Sequence, residues 1–231
     1  MTLMSESSVD SLPRIDRMMP RRLDSAIFGM GHFFDSEPRF GTAKGVWRTS
    51  VGYGGGRYDH PSYEDLGDHV WVVTVEYDPF TLSYSQLLDI FLNCCGCGNE
   101  APLSQSSSMQ CISSVFVKNE FERRLAQAAI ARYELNANSE GGIMLAMLKT
   151  FYRAEKWCQK HFLRSFPPLM EELSRVYPDE DRLIQSTLAT RLNGILGQRS
   201  FQKFSASSVP EDFEFYDLSE CAASILRKVM E

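Results

Sequence analysis

Six cysteines and four histidines are the residues of this 231-residue chain best suited to metal or redox chemistry. The densest group is Cys94-Cys95-Gly96-Cys97, and Cys111 follows it. One interpretation is a zinc site, since thiolates and imidazoles are zinc's usual ligands, but no second cysteine pair follows at zinc-finger spacing. A second interpretation is a redox centre. The spacing favours a third interpretation, in which these cysteines are ordinary thiols of a loop or of the core. We therefore predict no metal site.

The elements that must position such residues alternate between strands and helices. Strands are predicted at 24–28, 45–53, 69–77 and 112–117, and 69–77 is the clearest because it is rich in β-branched residues. Apolar spacing predicts helices at 83–91, 119–133, 183–196 and 218–229, and a glycine turn predicts one that begins within 35–40. The segment 93–108 is rich in Cys, Gly and Ser, and 143–148 is a short apolar stretch. The pattern predicts one α+β domain at 23–165, after a flexible segment at 1–22 and before a helical C-terminal extension at 166–231 that packs on it.

Composition excludes several classes of function. A net charge of −6 argues against a nucleic-acid or anionic-membrane binder, which needs a basic face. Four arginines at positions 14, 17, 21 and 22 favour a solvated tail over a docking or targeting role. We find no apolar run of ~18 residues and no signal-peptide core, so we expect no membrane helix and no disulfide scaffold. The predicted compartment is the cytoplasm, with the nucleus in addition as the alternative.

Ordered motifs along the chain resemble those of the peptide methionine sulfoxide reductase A family. The segment 28–37, FGMGHFFDSE, resembles the family signature G-C-F-W-G-x-E. Further matches follow in the family's order, at 45–56, Pro61-Ser62-Tyr63, Leu66-Gly67-Asp68-His69, 75–79, Ser83-Tyr84, Leu87-Leu88, Ala154-Glu155, Gln159-Lys160 and 189–194. The resemblance covers residues 24–197. It implies a two-layer α/β sandwich around a mixed sheet, with the helical extension appended.

The same resemblance implies that the family's catalytic groups have changed. The family's cysteine thiolate attacks the sulfoxide sulfur and becomes a sulfenic acid, which other thiols reduce. His32 stands at that position, and an imidazole has no sulfur to oxidise and reduce again. Trp71 stands where the family has the glutamate that protonates the sulfoxide oxygen. Nucleophile and acid are therefore both replaced.

Other positions of the implied site are partly changed and partly retained. Cys111 replaces a tyrosine, Phe34 a tryptophan and Cys158 a histidine. Glu37 is retained and is expected to be structural. The resemblance implies a ligand pocket lined by His32, Phe33, Phe34, Tyr53, Tyr63, His69, Trp71 and Cys111.

Three functional hypotheses follow from these replacements. The leading one is a catalytically degenerate family member that acts as a binding protein for methionine, its sulfoxide or a peptide that carries either. The second is a peptide-methionine (S)-S-oxide reductase that uses a displaced cysteine, Cys111 or the loop residues Cys95 and Cys97, and is recycled by thioredoxin or small thiols. The third is a structural subunit whose old pocket is filled by Trp71. No hypothesis requires a cofactor, nucleic acid or a membrane, and the expected partner is a protein or a methionine-containing peptide.

Overall fold

The computed structural model describes residues 12–95, 112–137, 142–198 and 210–230. Within these ranges six strands form one sheet. They are β1 (Asp24–Gly29), β2 (Val46–Gly54), β3 (Val70–Tyr77), β4 (Ser114–Val117), β5 (Met144–Met147) and β6 (Phe151–Arg153). Their order across the sheet is β5–β4–β1–β3–β2–β6. Only the β4–β5 pair is parallel, so the sheet is mixed and the predicted α+β class is confirmed.

Nine α-helices surround or extend this sheet in the described ranges. They are α1 (Arg14–Arg17), α2 (Phe33–Gly41), α3 (Tyr84–Cys95), α4 (Glu120–Ala137), α5 (His161–Arg164), α6 (Pro167–Val176), α7 (Glu180–Ile184), α8 (Thr187–Gln198) and α9 (Glu220–Met230). Short 3₁₀ turns occur at Lys156–Cys158 and Phe213–Phe215. None of the helices in these ranges is both long and apolar enough to span a lipid bilayer.

The structure confirms the predicted strands and most helices, with local differences. Helix α2 begins at Phe33, before the predicted 35–40, because His32 caps it. The stretch 143–148 contains β5, a strand that owes its place to pairing with β4. Cys94 and Cys95, within the segment predicted as loop, complete the last turn of α3. The predicted helix at 183–196 is divided between α7 and α8.

Three apolar clusters lie in the described residues, two large cores and a smaller group around Val70, Val72 and Phe116. In the first, helices α2 and α3 pack on the sheet, where Phe28 of β1 stacks against Phe40 at 5.3 Å and against Phe91 at 5.1 Å between ring centroids. The second lies among the C-terminal helices around α8, which is buried at all but its last residue. Helix α8 also contacts α2 and β2, so it joins the helical extension to the sheet domain.

The N-terminal segment is anchored on the second core. Ile15 of α1 is only 2% exposed and lies among the C-terminal helices. The Asp16 carboxylate accepts hydrogen bonds from the backbone N–H groups of Thr187 at 2.6 Å and Leu188 at 3.2 Å. Asp16 thereby pairs two of the free donors at the start of α8. The part of the predicted flexible segment from residue 12 onward therefore packs on the protein.

Candidate functional site

The candidate site begins where strand β1 ends and helix α2 starts. Gly31 connects them with a backbone φ of +70°, a left-handed conformation that glycine adopts without the clash of a Cβ atom. The Ser36 hydroxyl of α2 donates a hydrogen bond to the Met30 carbonyl oxygen at 2.8 Å. The turn is thereby held closed, and it places His32 directly before the helix.

His32 caps the N-terminus of α2 with its side chain. Its Nδ1 atom accepts a hydrogen bond from the backbone N–H of Phe34 at 3.3 Å, and its Nε2 atom lies 3.1 Å from the Tyr63 hydroxyl oxygen. Because Nδ1 accepts, we assign the proton of the neutral imidazole to Nε2, which then donates to Tyr63. The Tyr63 hydroxyl proton is therefore not used in this bond.

The surroundings of His32 favour the neutral imidazole. Burial lowers the pKa of His32 from its usual value of 6.5; the charge of Asp35 opposes this effect, and the neighbouring His161 adds to it. Protonation of Nδ1 would also break the bond from Phe34 and place a positive charge at the positive end of the α2 dipole. His32 is therefore uncharged at neutral pH.

We expect this lowered pKa to make stability depend on pH in the acidic range. Since the folded protein holds the His32 proton less tightly than the unfolded chain, His32 contributes its full stability above pH ~6.5 and loses it as the pH falls through the folded pKa. Urea unfolding at about pH 7.5 and about pH 5 measures the loss. His32→Asn keeps a capping side chain without a titration in this range, so it should lose less free energy of unfolding than the wild type. Equal losses in both proteins would contradict this role of His32.

Aromatic rings surround the imidazole of His32. Its ring centroid lies 4.4 Å from that of Trp71 and 4.6 Å from that of Phe34. Phe33 and Tyr63 follow at 5.4 and 5.9 Å. We call the connected set the aromatic cluster; it consists of His32, Phe33, Phe34, Tyr53, Tyr63, Trp71, Trp157, His161 and Phe162. His32 and Trp71, the two residues that the resemblance assigns to nucleophile and acid positions, are thus in direct ring contact.

The aromatic cluster reaches the protein surface at Trp157. This side chain is 53% exposed and meets the Tyr63 ring edge-on, with 4.9 Å between centroids. Phe34, the residue that the resemblance places at a pocket tryptophan, stacks on His161 at 4.1 Å. The cluster therefore presents aromatic surface to solvent above a half-buried imidazole.

Trp71 contributes a hydrogen-bond donor without an internal acceptor. The residue lies in β3, paired with Tyr53 of β2 in the sheet register. Its indole Nε1 is buried and has no hydrogen-bond partner in the part of the chain that the structure describes. An unpaired buried donor costs roughly 1–3 kcal/mol. Among the described residues, this N–H next to His32 therefore has no acceptor.

Glu155 bridges Tyr53 and Tyr63 of the aromatic cluster. Its carboxylate accepts hydrogen bonds from the Tyr53 hydroxyl at 2.6 Å and from the Tyr63 backbone N–H at 3.0 Å. Burial acts to raise the pKa of Glu155, but these bonds outweigh it and the net shift is downward. The sequence-based site did not include Glu155, although its place in the Ala154-Glu155 motif was a signal that could have identified it.

Cys158 places its thiol next to the Glu155 carboxylate. Its Sγ atom lies 3.7 Å from Glu155 Oε2 and the side chain is fully buried. Burial and the neighbouring charge of Glu155 raise the pKa of Cys158 to about 12. Since the thiolate is the nucleophilic form, Cys158 is unreactive at neutral pH.

The remaining predicted site residues are His69 and three cysteines. His69 is 1% exposed and accepts a hydrogen bond from the Gly56 N–H, while its Nε2 donates to the Tyr58 carbonyl oxygen at 2.8 Å. It therefore braces the loop after β2. Cys95 ends helix α3, whereas Cys97 and Cys111 lie outside the described residues. Within the described ranges no group of three His, Cys, Asp or Glu side chains is placed to hold a metal ion.

A buried ion pair holds helix α2, which carries part of the site, against its neighbours. Glu37 of α2 and Lys160 are each 1% exposed at the side chain, and Lys160 Nζ lies 2.6 Å from Glu37 Oε1. The same carboxylate accepts hydrogen bonds from Thr49 of β2 at 2.9 Å and from Asn193 of α8 at 3.2 Å. The Glu37 carboxylate thus ties α2 to the sheet and to the helical extension.

The mixed sheet, the β1–α2 turn and the aromatic cluster define an α+β protein whose candidate site lies at the start of a helix. A family model described as peptide methionine sulfoxide reductase matches residues 24–190. The chain belongs to the peptide methionine sulfoxide reductase family.

Two relatives illustrate the similarity in sequence. The chain is 40% identical over 175 residues to peptide methionine sulfoxide reductase A5 of Arabidopsis thaliana, a match that covers 75% of this chain and 68% of that protein. It is 34% identical over 187 residues to a peptide methionine sulfoxide reductase of Drosophila melanogaster, which covers 80% and 73% respectively.

Solved structures agree on the fold. Methionine sulfoxide reductase A of Corynebacterium diphtheriae superposes with a TM-score of 0.56 at 21% identity, over 65% of this chain and 78% of that one. Mxr1 from Saccharomyces cerevisiae in reduced form gives a TM-score of 0.54 at 18% identity, over 64% and 88%. At these identities the similarity establishes the architecture alone.

Proposed function

We propose that this family member has replaced sulfoxide reduction by binding, and that it recognises a methionine sulfoxide side chain in a peptide without reducing it. The observation that carries the proposal is His32: a neutral imidazole, bonded through both nitrogens and packed against Trp71, stands where the resemblance places the catalytic thiolate. Reduction of a sulfoxide requires a group that accepts the oxygen and is itself reduced afterwards. An imidazole does not perform that cycle.

Two hydrogen-bond donors favour the sulfoxide over the thioether as ligand. The Tyr63 hydroxyl accepts from His32, so its own proton is available to a ligand. The Trp71 Nε1–H has no acceptor in the described part of the chain. Their rings lie 6.3 Å apart. A sulfoxide oxygen accepts hydrogen bonds strongly, whereas a thioether sulfur accepts them weakly. The aromatic faces of Phe34 and Trp157 supply the apolar contact that a methyl–sulfur group favours.

The partner in this proposal is a protein or peptide that carries an oxidised methionine. The proposed compartment is the cytoplasm, with the nucleus in addition as the alternative. A reductase that uses Cys111, Cys95 or Cys97, with thioredoxin or small thiols as reductant, is the competing proposal. The raised pKa of Cys158 argues only against that particular thiol as the nucleophile. A structural subunit whose old pocket is filled by Trp71 is the third.

Binding without turnover is the expected result for the wild-type protein. Three matched peptides, with methionine sulfoxide, methionine or norleucine at one position, are titrated by calorimetry, and methionine formation with dithiothreitol is followed by mass spectrometry. We expect the sulfoxide peptide to bind most tightly and to be recovered unreduced. Tyr63→Phe removes one hydrogen bond and should weaken sulfoxide binding roughly 3- to 10-fold, with no effect on the methionine peptide.

Tyr58→Phe provides the matched control for that substitution. Tyr58 is 46% exposed, and its hydroxyl bonds to Asp65 rather than to the aromatic cluster. Its variant should bind like the wild type. Repeated turnover by the wild type would establish the reductase instead, and equal, undetectable binding of all three peptides would leave the structural subunit as the explanation.

A further inference from the structure

Met19 contacts Arg48 through its sulfur atom, in an arrangement that a thioether does not favour. The Met19 Sδ atom lies 3.1 Å from Nε and 2.9 Å from Nη2 of Arg48, so two N–H groups of one guanidinium converge on a single sulfur. A thioether sulfur is a weak hydrogen-bond acceptor. The fork of a guanidinium is matched to oxygen acceptors. These donors therefore suit an oxygen atom on this sulfur better than the sulfur itself.

Arg48 is held in place by the sheet. It lies in β2, paired in register with Glu76 of β3, and its Nη1 atom is 3.5 Å from Glu76 Oε2. Its side chain is 24% exposed, so the guanidinium is only partly hydrated. One edge of the guanidinium faces a carboxylate and the other faces Met19. The strand and Glu76 therefore hold the Arg48 guanidinium in place whether or not the Met19 sulfur is oxidised.

Met19 forms the contact between the N-terminal segment and the sheet. Helix α1, which precedes it, is anchored on the C-terminal helices by Ile15 and Asp16. Met19 itself is partly exposed. A change at this sulfur would therefore alter how firmly the segment is attached.

We propose that Met19 is an oxidation site and that Arg48 binds its sulfoxide. The co-reactant is a peroxide, of which hydrogen peroxide is the simplest. The sulfur attacks one peroxide oxygen, an S–O bond forms, the O–O bond breaks, and the second oxygen leaves as water after proton transfer. The sulfur loses two electrons and the peroxide gains them. The sulfoxide oxygen then accepts the charge-assisted hydrogen bonds from Nε and Nη2 in place of the sulfur.

The expected consequence is a tighter attachment of residues 12–23 after oxidation. The full-length protein is treated with hydrogen peroxide, the sulfoxide fraction at each methionine is determined by peptide mass spectrometry, and backbone amide exchange of this segment is compared before and after. We expect sulfoxide at Met19 and amide exchange slowed roughly threefold or more, since the hydrogen bonds from Arg48 are strengthened. Met19→Leu, which leaves Arg48 and the fold in place, should abolish the slowing.

Met18 supplies the matched control because it is an adjacent methionine, 53% exposed. Met18→Leu should retain the slowing. Arg48→Lys keeps the positive charge but loses the fork, and it should reduce the response. The proposal is overturned if Met19 stays reduced while Met18 is converted, if exchange in the oxidised wild type is unchanged or faster, or if Arg48→Lys responds like the wild type.

Discussion

We expect the double variant His32→Cys, Trp71→Glu to reduce methionine sulfoxide and the wild-type protein not to reduce it. A cysteine at position 32 lies at the start of α2, where the helix dipole and the Phe34 N–H group, now bonded to His32 Nδ1, stabilise a thiolate. The thiolate takes the sulfoxide oxygen as a sulfenic acid, and dithiothreitol reduces it with release of water. A glutamate at position 71 supplies the proton, since the Trp71 ring lies 4.4 Å from that of His32.

The size of the increase in reduction rate separates the contribution of Trp71→Glu from that of His32→Cys. General acid catalysis contributes typically 10²–10⁴-fold, so the double variant should exceed His32→Cys alone by about 100-fold or more. Methionine formation per enzyme over time, measured by mass spectrometry, gives the rates. His32→Ser, Trp71→Glu is the matched control without a thiol and should be inactive. A folded double variant that is no faster than His32→Cys would refute the assignment of position 71, and an active wild type would refute that of position 32.

Replacing Glu37 with alanine is expected to destabilise the fold by about 3–5 kcal/mol, because the substitution leaves the Lys160 charge buried without its partner. Burial lowers the pKa of Lys160 and Glu37 opposes that effect, so the amine without its carboxylate is forced toward the neutral form. Thr49 and Asn193 also lose their shared acceptor. Urea unfolding followed by circular dichroism at neutral pH measures the difference.

Two further variants test whether the loss of stability is specific to the buried Glu37–Lys160 pair or follows the loss of any ion pair. Glu37→Leu combined with Lys160→Met replaces both ions by apolar side chains, so it should cost less than Glu37→Ala alone. Glu211→Ala breaks the exposed pair with Lys44, whose side chain is 79% exposed, and should change the unfolding midpoint little. A Glu37→Ala protein as stable as Glu211→Ala would show that the network does not hold α2 in place.

Much of the fold could be predicted from the sequence because its elements follow local rules. The β-branched run at 69–77 predicted β3, and the apolar spacing at 119–133 predicted most of α4. The exceptions depend on partners distant in the chain. Strand β5 has no strong pattern of its own and forms because β4 offers it a parallel edge. Helix α1 follows a polar lead-in, and Asp16 reaches 171 residues along the chain to the start of α8.

For the site, residue types and motif order were enough to assign the family, and they predict that the nucleophile and the acid are replaced. Sequence order could not show that His32 bonds to Tyr63, that Glu155 joins Tyr53 to Tyr63, or that His69 braces a loop. These contacts join side chains 11 to 102 positions apart, and their geometry depends on how the sheet, α2 and the 3₁₀ turn pack together. Residue identity sets which proton or electron pair a side chain can offer; only packing decides which neighbour receives it and therefore what the site can still bind.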